Sequence, residues 1–186
     1  QPWNRLKMLN AHDWKIYRND LFGTEVFTQE QINDNTINTD WQNVIFRTAP
    51  LSNYELSTSG GDDKTRFYIS GNLFKQTGLL IGTDYSRMNG RVNVDHKVNK
   101  ILSVGTSIGL SYAKTDRVEG DQSLHGPLPN GISTPAIFAV YNDDGSYNQS
   151  GPYSNPVSIA NEAINQNFSY RGIGNVYADL KLAKGL

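Results

Sequence analysis

The sequence of 186 residues contains no cysteine, which excludes disulfides and thiolate metal sites. It also lacks a long apolar run, because the longest one extends only from Ala136 to Tyr141. A helix that spans a membrane needs about 20 apolar residues. The strands of a membrane barrel need no such run, since only every second residue faces lipid. The sequence therefore leaves a membrane location open only for strands.

No excess of charge of one sign is present, since 17 Lys and Arg stand against 18 Asp and Glu. A nucleic-acid-binding domain would carry a basic patch, so no nucleic-acid partner is expected. The three histidines, His12, His96 and His125, are too far apart for the spacing of metal ligands. No nucleophile elbow, Ser/His/Asp order or phosphate-binding glycine loop occurs. We therefore expect no cofactor and no enzymatic activity.

Asparagine, glycine and tyrosine are abundant, at 20, 17 and 10 residues. Polar and apolar residues alternate with period 2, which predicts strands with one wet face. The alternation runs through five segments at 51–59, 65–76, 86–96, 101–112 and 170–182. These strands are about twice as long as the usual five or six residues and match the 9–11 that cross a membrane.

The connections alternate between short and long: 60–64 and 97–100 are short, while 77–85 and 113–169 are longer. Outer-membrane barrels have short periplasmic turns and long extracellular loops. We therefore predict an all-β fold, namely part of a large antiparallel transmembrane β-barrel, with residues 51–186 as strands around the long loop 113–169. Five strands cannot close a barrel, so both chain ends are expected to be processed or cut.

Residues 1–50 show no such alternation, and we predict an irregular extracellular segment with a short helix near 40–47. Leu6, Leu9, Ala11 and Ile16 hint at another short helix in its polar first part. Asp40 suits the N-cap of this helix, and Trp41, Val44 and Ile45 have helical apolar spacing. Aromatic residues near strand ends suit an interfacial girdle, although strands favour such residues in any case. The predicted girdle residues are Tyr54, Phe67, Tyr112 and Tyr170.

The alternation of polar and apolar residues also indicates which polar side chains share one face of the sheet. The polar set is expected to face the lumen, where it either contacts a plug or simply forms a wet wall. It comprises Arg87, Asn89, Arg91, Asn93, Asp95 and Asp179. The long loop offers aromatic and amide groups that suit contact with a substrate or a lid, or that only cover the barrel mouth. These candidates are Tyr141, Asn142, Asp143, Tyr147 and Tyr153.

The segment from Asn142 to Gly145 could suggest a calcium loop, because hard cations need clustered oxygens. It lacks the spaced acidic ligands and the closing glutamate of such a loop. An ordinary Asp-Gly turn is the alternative interpretation.

Several ordered phrases resemble one known family. They are TDWQNVIFRTAP at 39–50, STSGG at 57–61, KTRFYISG at 64–71, QTG at 76–78, RVNVD at 91–95, VYNDDGSY at 140–147, NPV at 155–157 and GNVYA at 174–178. Over residues 39–186 the chain is similar to SusC/RagA-type TonB-linked outer-membrane proteins. The resemblance implies a barrel of about 22 strands, a plug and a TonB box, the latter two expected outside this chain.

The resemblance further implies the outer membrane of a Gram-negative, Bacteroidetes-type bacterium. It implies import of oligosaccharides or peptides, with TonB and a SusD-like surface lipoprotein as partners and membrane lipid around the barrel. The alternative is a soluble carbohydrate-binding or adhesin β-sandwich. The two differ in whether detergent is needed to extract the protein.

Overall fold

The computed structural model of the chain describes residues 5–118 and 125–182. The chain divides into two compact units. The sheet unit consists of Ala49–Thr77, Asp84–Asp116 and Gln166–Leu186. The loop unit consists of Gln1–Thr48, Gly78–Thr83 and Arg117–Asn165. Parts of the predicted segments 1–50, 113–169 and 51–186 lie outside the described residues, namely 1–4, 119–124 and 183–186.

The sheet unit is a five-stranded antiparallel meander in which each strand pairs with the next along the chain. Its strands are β1 (Leu51–Gly61), β2 (Thr65–Thr77), β3 (Asp84–Lys97), β4 (Leu102–Asp116) and β5 (Gln166–Leu180). The predicted all-β architecture and the five strands are confirmed. The sheet is not closed, since β1 and β5 are edge strands within this chain.

The strands extend beyond the alternating segments. Backbone pairing between β4 and β5 continues to Asp116 and Gln166, so the long connection is 117–165. Likewise β2 and β3 pair as far as Thr77 and Asp84, which leaves 78–83 as their connection. The strand ends lengthen because backbone hydrogen bonds continue where the side chains have ceased to alternate. Both longer connections leave from one end of the sheet, and the short ones, 62–64 and 98–101, from the other.

The first short turn is built around Asp62, whose carboxylate accepts hydrogen bonds from the backbone N–H groups of Lys64 at 2.8 Å and Thr65 at 2.7 Å. These hydrogen bonds, that from Thr65 first, lower the pKa of Asp62. Gly61 precedes it with a φ of 152°, and a Cβ there would overlap the Thr65 carbonyl. The turn therefore requires glycine at this position.

The register sorts side chains onto two faces of the sheet. Residues directly opposite each other on antiparallel strands point to the same face. One such row runs Tyr54, Leu73, Met88, Tyr112, Tyr170, and another runs Thr58, Ile69, Val92, Ile108, Gly174. All five strands thus present most of their apolar residues on one shared face, while Phe74 and Ile173 lie on the other. Three of the four predicted girdle residues lie in the first of these rows, namely Tyr54, Tyr112 and Tyr170. The fourth, Phe67, lies on β2, six positions before Leu73 of that row.

This apolar face has the height that a bilayer requires. On β4 it extends from Leu102 to Tyr112. Ten positions at ~3.3 Å each and a tilt of ~40° correspond to a height of ~25 Å, the height of the apolar band of outer-membrane barrels. Its large side chains are exposed within this chain, with Leu56 and Val176 both at 81%.

The loop unit contains five short helices in its described part. They are α1 (Ala11–Phe22), α2 (Gln29–Asn33), α3 (Trp41–Ile45), α4 (Pro127–Ser133) and α5 (Pro156–Glu162). The predicted helix near 40–47 is α3, and Asp40 is its N-cap, accepting a hydrogen bond from the Asn43 N–H at 3.0 Å. Within the described residues, no helix is long and apolar enough to cross a membrane.

Ile45 is the centre of the loop unit's core and is fully buried. A Cβ on Gly131 of α4 would lie 2.6 Å from the Ile45 Cδ1 methyl, so a larger residue there would require the Ile45 side chain to shift. The Ile45 carbonyl accepts a hydrogen bond from Ile81 N–H at 3.0 Å. The connection 78–83 is thereby fixed to the segment that precedes β1.

Candidate functional site: a polar sheet face and a tyrosine hairpin

The predicted lumen residues of β3 all lie on the polar face of the sheet, opposite the apolar rows. Arg87, Asn89, Arg91, Asn93 and Asp95 occupy every second position, and Asp179 reaches the same face through its pairing with Ser103, which is itself opposite Lys97. The structure therefore brings the six candidates onto one surface. That this surface lines a lumen stays a prediction.

An amide ladder crosses four strands of the polar face. Asn72 donates from Nδ2 to Asn53 Oδ1 at 2.7 Å. Asn89 donates to Asn72 Oδ1 at 3.4 Å, and the Ser111 hydroxyl donates to Asn89 Oδ1 at 2.7 Å. One residue of each strand takes part, so the polar side chains reinforce the register that the backbone sets.

A second cross-strand contact spans β3 to β5. The Tyr177 hydroxyl donates a hydrogen bond to Asp95 Oδ1. Its ring lies over Gly105 on the intervening β4, where any Cβ would overlap the ring. Sequence reasoning identified Asp95 but missed Tyr177 and Gly105. The available signal was a tyrosine at a polar position of the alternation together with a glycine inside a strand.

Aromatic and cationic groups meet at the other end of the polar face. The Phe74 and Tyr85 rings pack edge to face with centroids 5.9 Å apart. The Arg87 guanidinium lies over Phe74, 5.7 Å from the ring centroid. This arrangement favours a partner with both apolar and anionic or polar groups, because the ring face and the cation are presented together.

The loop unit presents a tight hairpin from Tyr141 to Tyr147. The two tyrosines form a β-bridge, and their rings lie 5.4 Å apart with a tilt of 31°. Asn142 N–H donates to the Ser146 carbonyl at 2.8 Å, and Gly145 has a φ of 82°, which favours glycine. The hairpin therefore displays a pair of aromatic rings side by side, with Tyr141 half-exposed.

The carboxylate of Asp144 is occupied within this hairpin. It accepts hydrogen bonds from the Ser146 hydroxyl at 2.6 Å and the Ser146 N–H at 2.9 Å. These bonds, the hydroxyl first, lower the pKa of Asp144. Over the described ranges no group of three or more His, Asp or Glu is placed to hold a metal ion. The turn interpretation of this segment is the one that its geometry supports.

The other loop candidates differ in how they are placed. Asn142 is part of the hairpin, donating from Nδ2 to the Ser146 hydroxyl at 2.9 Å. Asp143 is exposed at its tip. Tyr153 is half-exposed, and within the described part of the loop it makes no ring contact with Tyr141 or Tyr147. Tyr147 accepts a hydrogen bond from Asn161 Nδ2 at 3.1 Å, which links the hairpin to α5.

Asn155 holds this loop together, and sequence reasoning gave it no role. It is 2% exposed. Its Nδ2 donates to the carbonyls of Val140 at 2.8 Å and Asn148 at 3.0 Å, on either side of the hairpin. Its Oδ1 caps α5 by accepting from the N–H groups of Val157 and Ser158. An asparagine directly before a proline is a readable helix start, but the hairpin contacts are not readable from sequence.

The sequence was compared with those of known proteins. No family model matches the sequence. TonB-dependent receptor P3 of Formosa agariphila is 31% identical over 192 residues, which cover 98% of this chain and 18% of the receptor. TonB-dependent receptor P26 of the same organism is 32% identical over 76% of this chain and 14% of its own length. TonB-dependent receptor SusC of Bacteroides thetaiotaomicron is 23% identical over 89% of this chain and 16% of its own length.

Two solved structures share the fold of this chain. The structure of the RagAB peptide transporter superposes with a TM-score of 0.75 at 19% identity, covering all of this chain and 25% of that one. The RagAB peptide importer in its open-open state superposes with a TM-score of 0.60 at 20% identity, covering 99% and 22%.

The chain spans less than a fifth of the length of the curated relatives it matches. These relatives are receptors rather than enzymes, and none of them supports the alternative of a soluble β-sandwich. Their homology extends over almost the whole of this chain, and the open sheet of long strands is the fold that the resemblance implies. The chain therefore belongs to the SusC/RagA-type TonB-dependent receptors, as a segment of their outer-membrane β-barrel.

Proposed function

We propose that the chain forms part of the wall and the outer loops of a TonB-dependent importer of oligosaccharides or peptides. TonB would act on a plug, and a SusD-like lipoprotein would cover the outer loops. The observation that carries this proposal is the register, which places most apolar residues of all five strands on one face and most polar residues on the other. A barrel that encloses a wet lumen in a membrane requires this division.

The polar face is the inner wall in this proposal. Arg87, Arg91 and Asp95 are charged, and a charge on the inner wall needs a partner on the plug or in water. Asp95 already accepts a hydrogen bond from Tyr177, which holds its carboxylate in place. The two arginines have no carboxylate within ion-pair distance in the described sheet, so they are the groups available to a plug.

The tyrosine hairpin is the capture element in this proposal. Its paired rings offer a flat apolar surface with polar tips, which suits a sugar ring or a peptide side chain in a partly wet interface. The Asn155 clamp supports it by holding the chain at Val140 and Asn148. Because the clamp orders the hairpin in advance, binding would lose less conformational entropy.

The test uses the full-length receptor in its own cells, with Tyr141→Ala and Tyr147→Ala combined. Uptake is measured with two fluorescent probes, a maltooligosaccharide pool and a pool of synthetic octapeptides. We expect uptake of one pool to fall at least severalfold while the amount of receptor extracted from the outer membrane by detergent stays unchanged.

The matched control is Leu21→Ala, which removes a side chain that is 56% exposed on α1 of the same unit. This control should leave uptake unchanged. Equal uptake of both pools in the tyrosine variant and the parent would contradict a capture role for the hairpin.

A further inference from the structure

Charged side chains on the apolar face of the sheet lie at one end only. Of the Lys, Arg, Asp and Glu residues in the described strands, those on this face are Lys75, Asp84, Lys114 and Asp116. Each lies within three positions of the strand end that leads into connection 78–83 or 117–165. The rest of this face, as far as the short turns, carries no such charge within the described strands. This end therefore differs chemically from the band that is proposed to meet lipid.

One row of side chains at this end combines hydroxyl and ammonium groups. This lysine row runs Ser52, Lys75, Ser86, Lys114 and Phe168 across the five strands. The two serine hydroxyls and the Lys75 ammonium make no hydrogen bond or ion pair with any described residue. Four polar donors in line, with no carboxylate among them, suit an anion that has several oxygens, such as a phosphate.

The lysine row lies just beyond the row of girdle tyrosines. Lys114 follows Tyr112 by two positions on β4, and Phe168 precedes Tyr170 by two positions on β5. Two positions at ~3.3 Å each and a tilt of ~40° correspond to ~5 Å of height. Aromatic girdles lie at the boundary between hydrocarbon and headgroups. In the proposed barrel the lysine row is therefore at the level of the headgroups, on the side of the long connections.

The two lysines are close enough to share one phosphate. They lie on β2 and β4, on either side of Ser86 in β3. Two strand spacings of ~4.8 Å place their Cα atoms about 10 Å apart, and their four-carbon stems let both ammonium groups reach a group above Ser86. The small serine side chain leaves that space open.

Asp116 orients Lys114 and is itself occupied. Lys114 Nζ lies 3.0 Å from Asp116 Oδ1, and Gln166 Nε2 donates to the same oxygen at 2.7 Å. An ammonium has three donors, so Lys114 keeps two for another acceptor. Asp84 and Asp116 lie opposite each other, one row further from the tyrosines. A phosphate above Ser86 would therefore be nearer to the two lysines than to these carboxylates.

We propose that the lysine row binds the phosphate of a phosphorylated lipid in the outer leaflet of the membrane, with Lys75 and Lys114 on its oxygens and the Ser86 hydroxyl between them. The inference rests on the proposed barrel, because only that orientation brings the row to a membrane surface. It goes beyond import, since it gives the outer side of the wall a specific ligand. The acyl chains would extend from the phosphate along the apolar face, past Tyr112 and Met88.

Lipid binding to the full-length receptor in a neutral detergent tests the site, measured as retention of radiolabelled lipid on the immobilised receptor. The probes are dioleoylphosphatidate and dioleoylglycerol, which differ only in the phosphate. We expect tighter binding of the phosphatidate, and we expect an excess of inorganic phosphate to leave that binding unchanged. Equal binding of the two lipids would overturn the proposal. Displacement by inorganic phosphate would overturn it too, because the row would then be a site for a free anion.

Lys75→Gln combined with Lys114→Gln removes both ammonium groups. It should weaken phosphatidate binding by about tenfold or more, since each lysine near an anionic lipid contributes roughly fivefold. The matched control combines Lys64→Gln with Lys97→Gln, which removes the same charge at the opposite end of the sheet and should leave binding unchanged. Equal weakening in the two double variants would show attraction to net charge alone, and unchanged binding in the first would exclude the row; either result contradicts the site.

Lys75→Gln alone separates binding from folding, because the Lys75 ammonium has no partner among the described residues. It should weaken phosphatidate binding roughly fivefold without lowering the melting temperature of the lipid-free receptor. Lys75→Arg combined with Lys114→Arg keeps both charges and should retain the binding. A lower melting temperature with unchanged binding in Lys75→Gln would show that Lys75 serves the fold and not a lipid.

The two proposals can fail separately. Unchanged phosphatidate binding in the lysine variants together with lost uptake in the hairpin variant would remove the lipid site and keep the importer. Weakened phosphatidate binding together with normal uptake in the hairpin variant would keep the lipid site and remove the capture role of the hairpin.

Discussion

The Tyr177 hydroxyl donates a hydrogen bond to the Asp95 carboxylate across the whole width of strand β4. The two residues lie on β5 and β3, which are not neighbours in the sheet. The contact is possible because Gly105 on β4 leaves room for the Tyr177 ring. A glycine within a strand lowers stability by itself. Here it permits a hydrogen bond between β3 and β5 across β4.

This relationship predicts a specific pattern of defects. Gly105→Ala should destabilise the receptor by about 1–3 kcal/mol, because the new methyl group overlaps the Tyr177 ring. Tyr177→Phe should have a smaller effect, since it keeps the ring and loses only the hydrogen bond. The measurement is urea unfolding of the full receptor in detergent. In a Tyr177→Ala background, Gly105→Ala should cost much less, and an undiminished cost there would contradict the packing that we describe.

The Asn155 clamp predicts a local effect on the loop. Asn155→Ala leaves the carbonyls of Val140 and Asn148 without their donor and removes the cap of α5. Each polar group left buried and unpaired costs about 1–3 kcal/mol. Chymotrypsin should therefore cleave more rapidly after the loop tyrosines while the amount of assembled barrel stays constant.

Asn161→Ala is the matched control for this change, because Asn161 is exposed and its side chain donates one hydrogen bond, to the Tyr147 hydroxyl. Equal cleavage rates in Asn155→Ala and Asn161→Ala would show that Asn155 is not the residue that orders the loop.

The turn at Asp62 predicts a pH dependence. Hydrogen bonds from the Thr65 and Lys64 N–H groups lower the pKa of Asp62 below its ordinary 3.8. A lowered pKa means that the ionised form stabilises the folded turn, fully above pH 3.8, and that this contribution is lost as the pH falls through the folded pKa. Asp62→Ala should thus be less stable than the parent at pH 7, and the difference should shrink in titrations towards pH 2. A difference that is constant over this range would exclude the carboxylate as its cause.

The orientation of the sheet can be tested by labelling single cysteines in intact cells, since the chain has no cysteine of its own. Suitable sites are Asp63, in the turn 62–64, and Asp143, at the hairpin tip, because both are exposed. We expect a membrane-impermeant maleimide to label Asp143→Cys and not Asp63→Cys. The reverse pattern would place the long connection in the periplasm.

Much of the sheet could be predicted because its pattern is local. Period 2 along each strand identifies which side chains share a face, and the structure pairs Val92 with Ile108 on one face and Asn93 with Ser107 on the other, as the alternation requires. The N-cap of α3 was readable for the same reason, since Asp40 and the apolar positions that follow lie within one turn of helix.

Contacts between distant segments could not be predicted in this way. The partners of Asn155 lie 7 and 15 positions away, and Tyr177 meets Asp95 over 82 positions. The sequence hinted at helix α1 through Ala11 and Ile16 but did not predict its bounds, for a different reason. Its apolar residues form no continuous stripe, and several remain exposed, including Ile16 and Leu21. Its ends are set by single contacts, Asn10 with the Asp13 N–H and the left-handed Gly23.

In the proposed barrel, one face of this sheet meets lipid and the other a wet lumen, and two neighbouring residues of β4 test this division directly. Ile108 lies on the apolar face, whereas Ser107 lies on the polar face, where its hydroxyl donates to Asn93 at 2.7 Å. Ile108→Arg should destabilise the assembled receptor by roughly 2–4 kcal/mol, the cost of a cation near the membrane midplane, while Ser107→Arg should cost far less. The measurement is the amount of folded receptor in the outer membrane, followed by urea unfolding of each variant. A large defect at Ile108 alone is the predicted result, and equal defects at the two positions would contradict the assignment of the chain to a barrel wall.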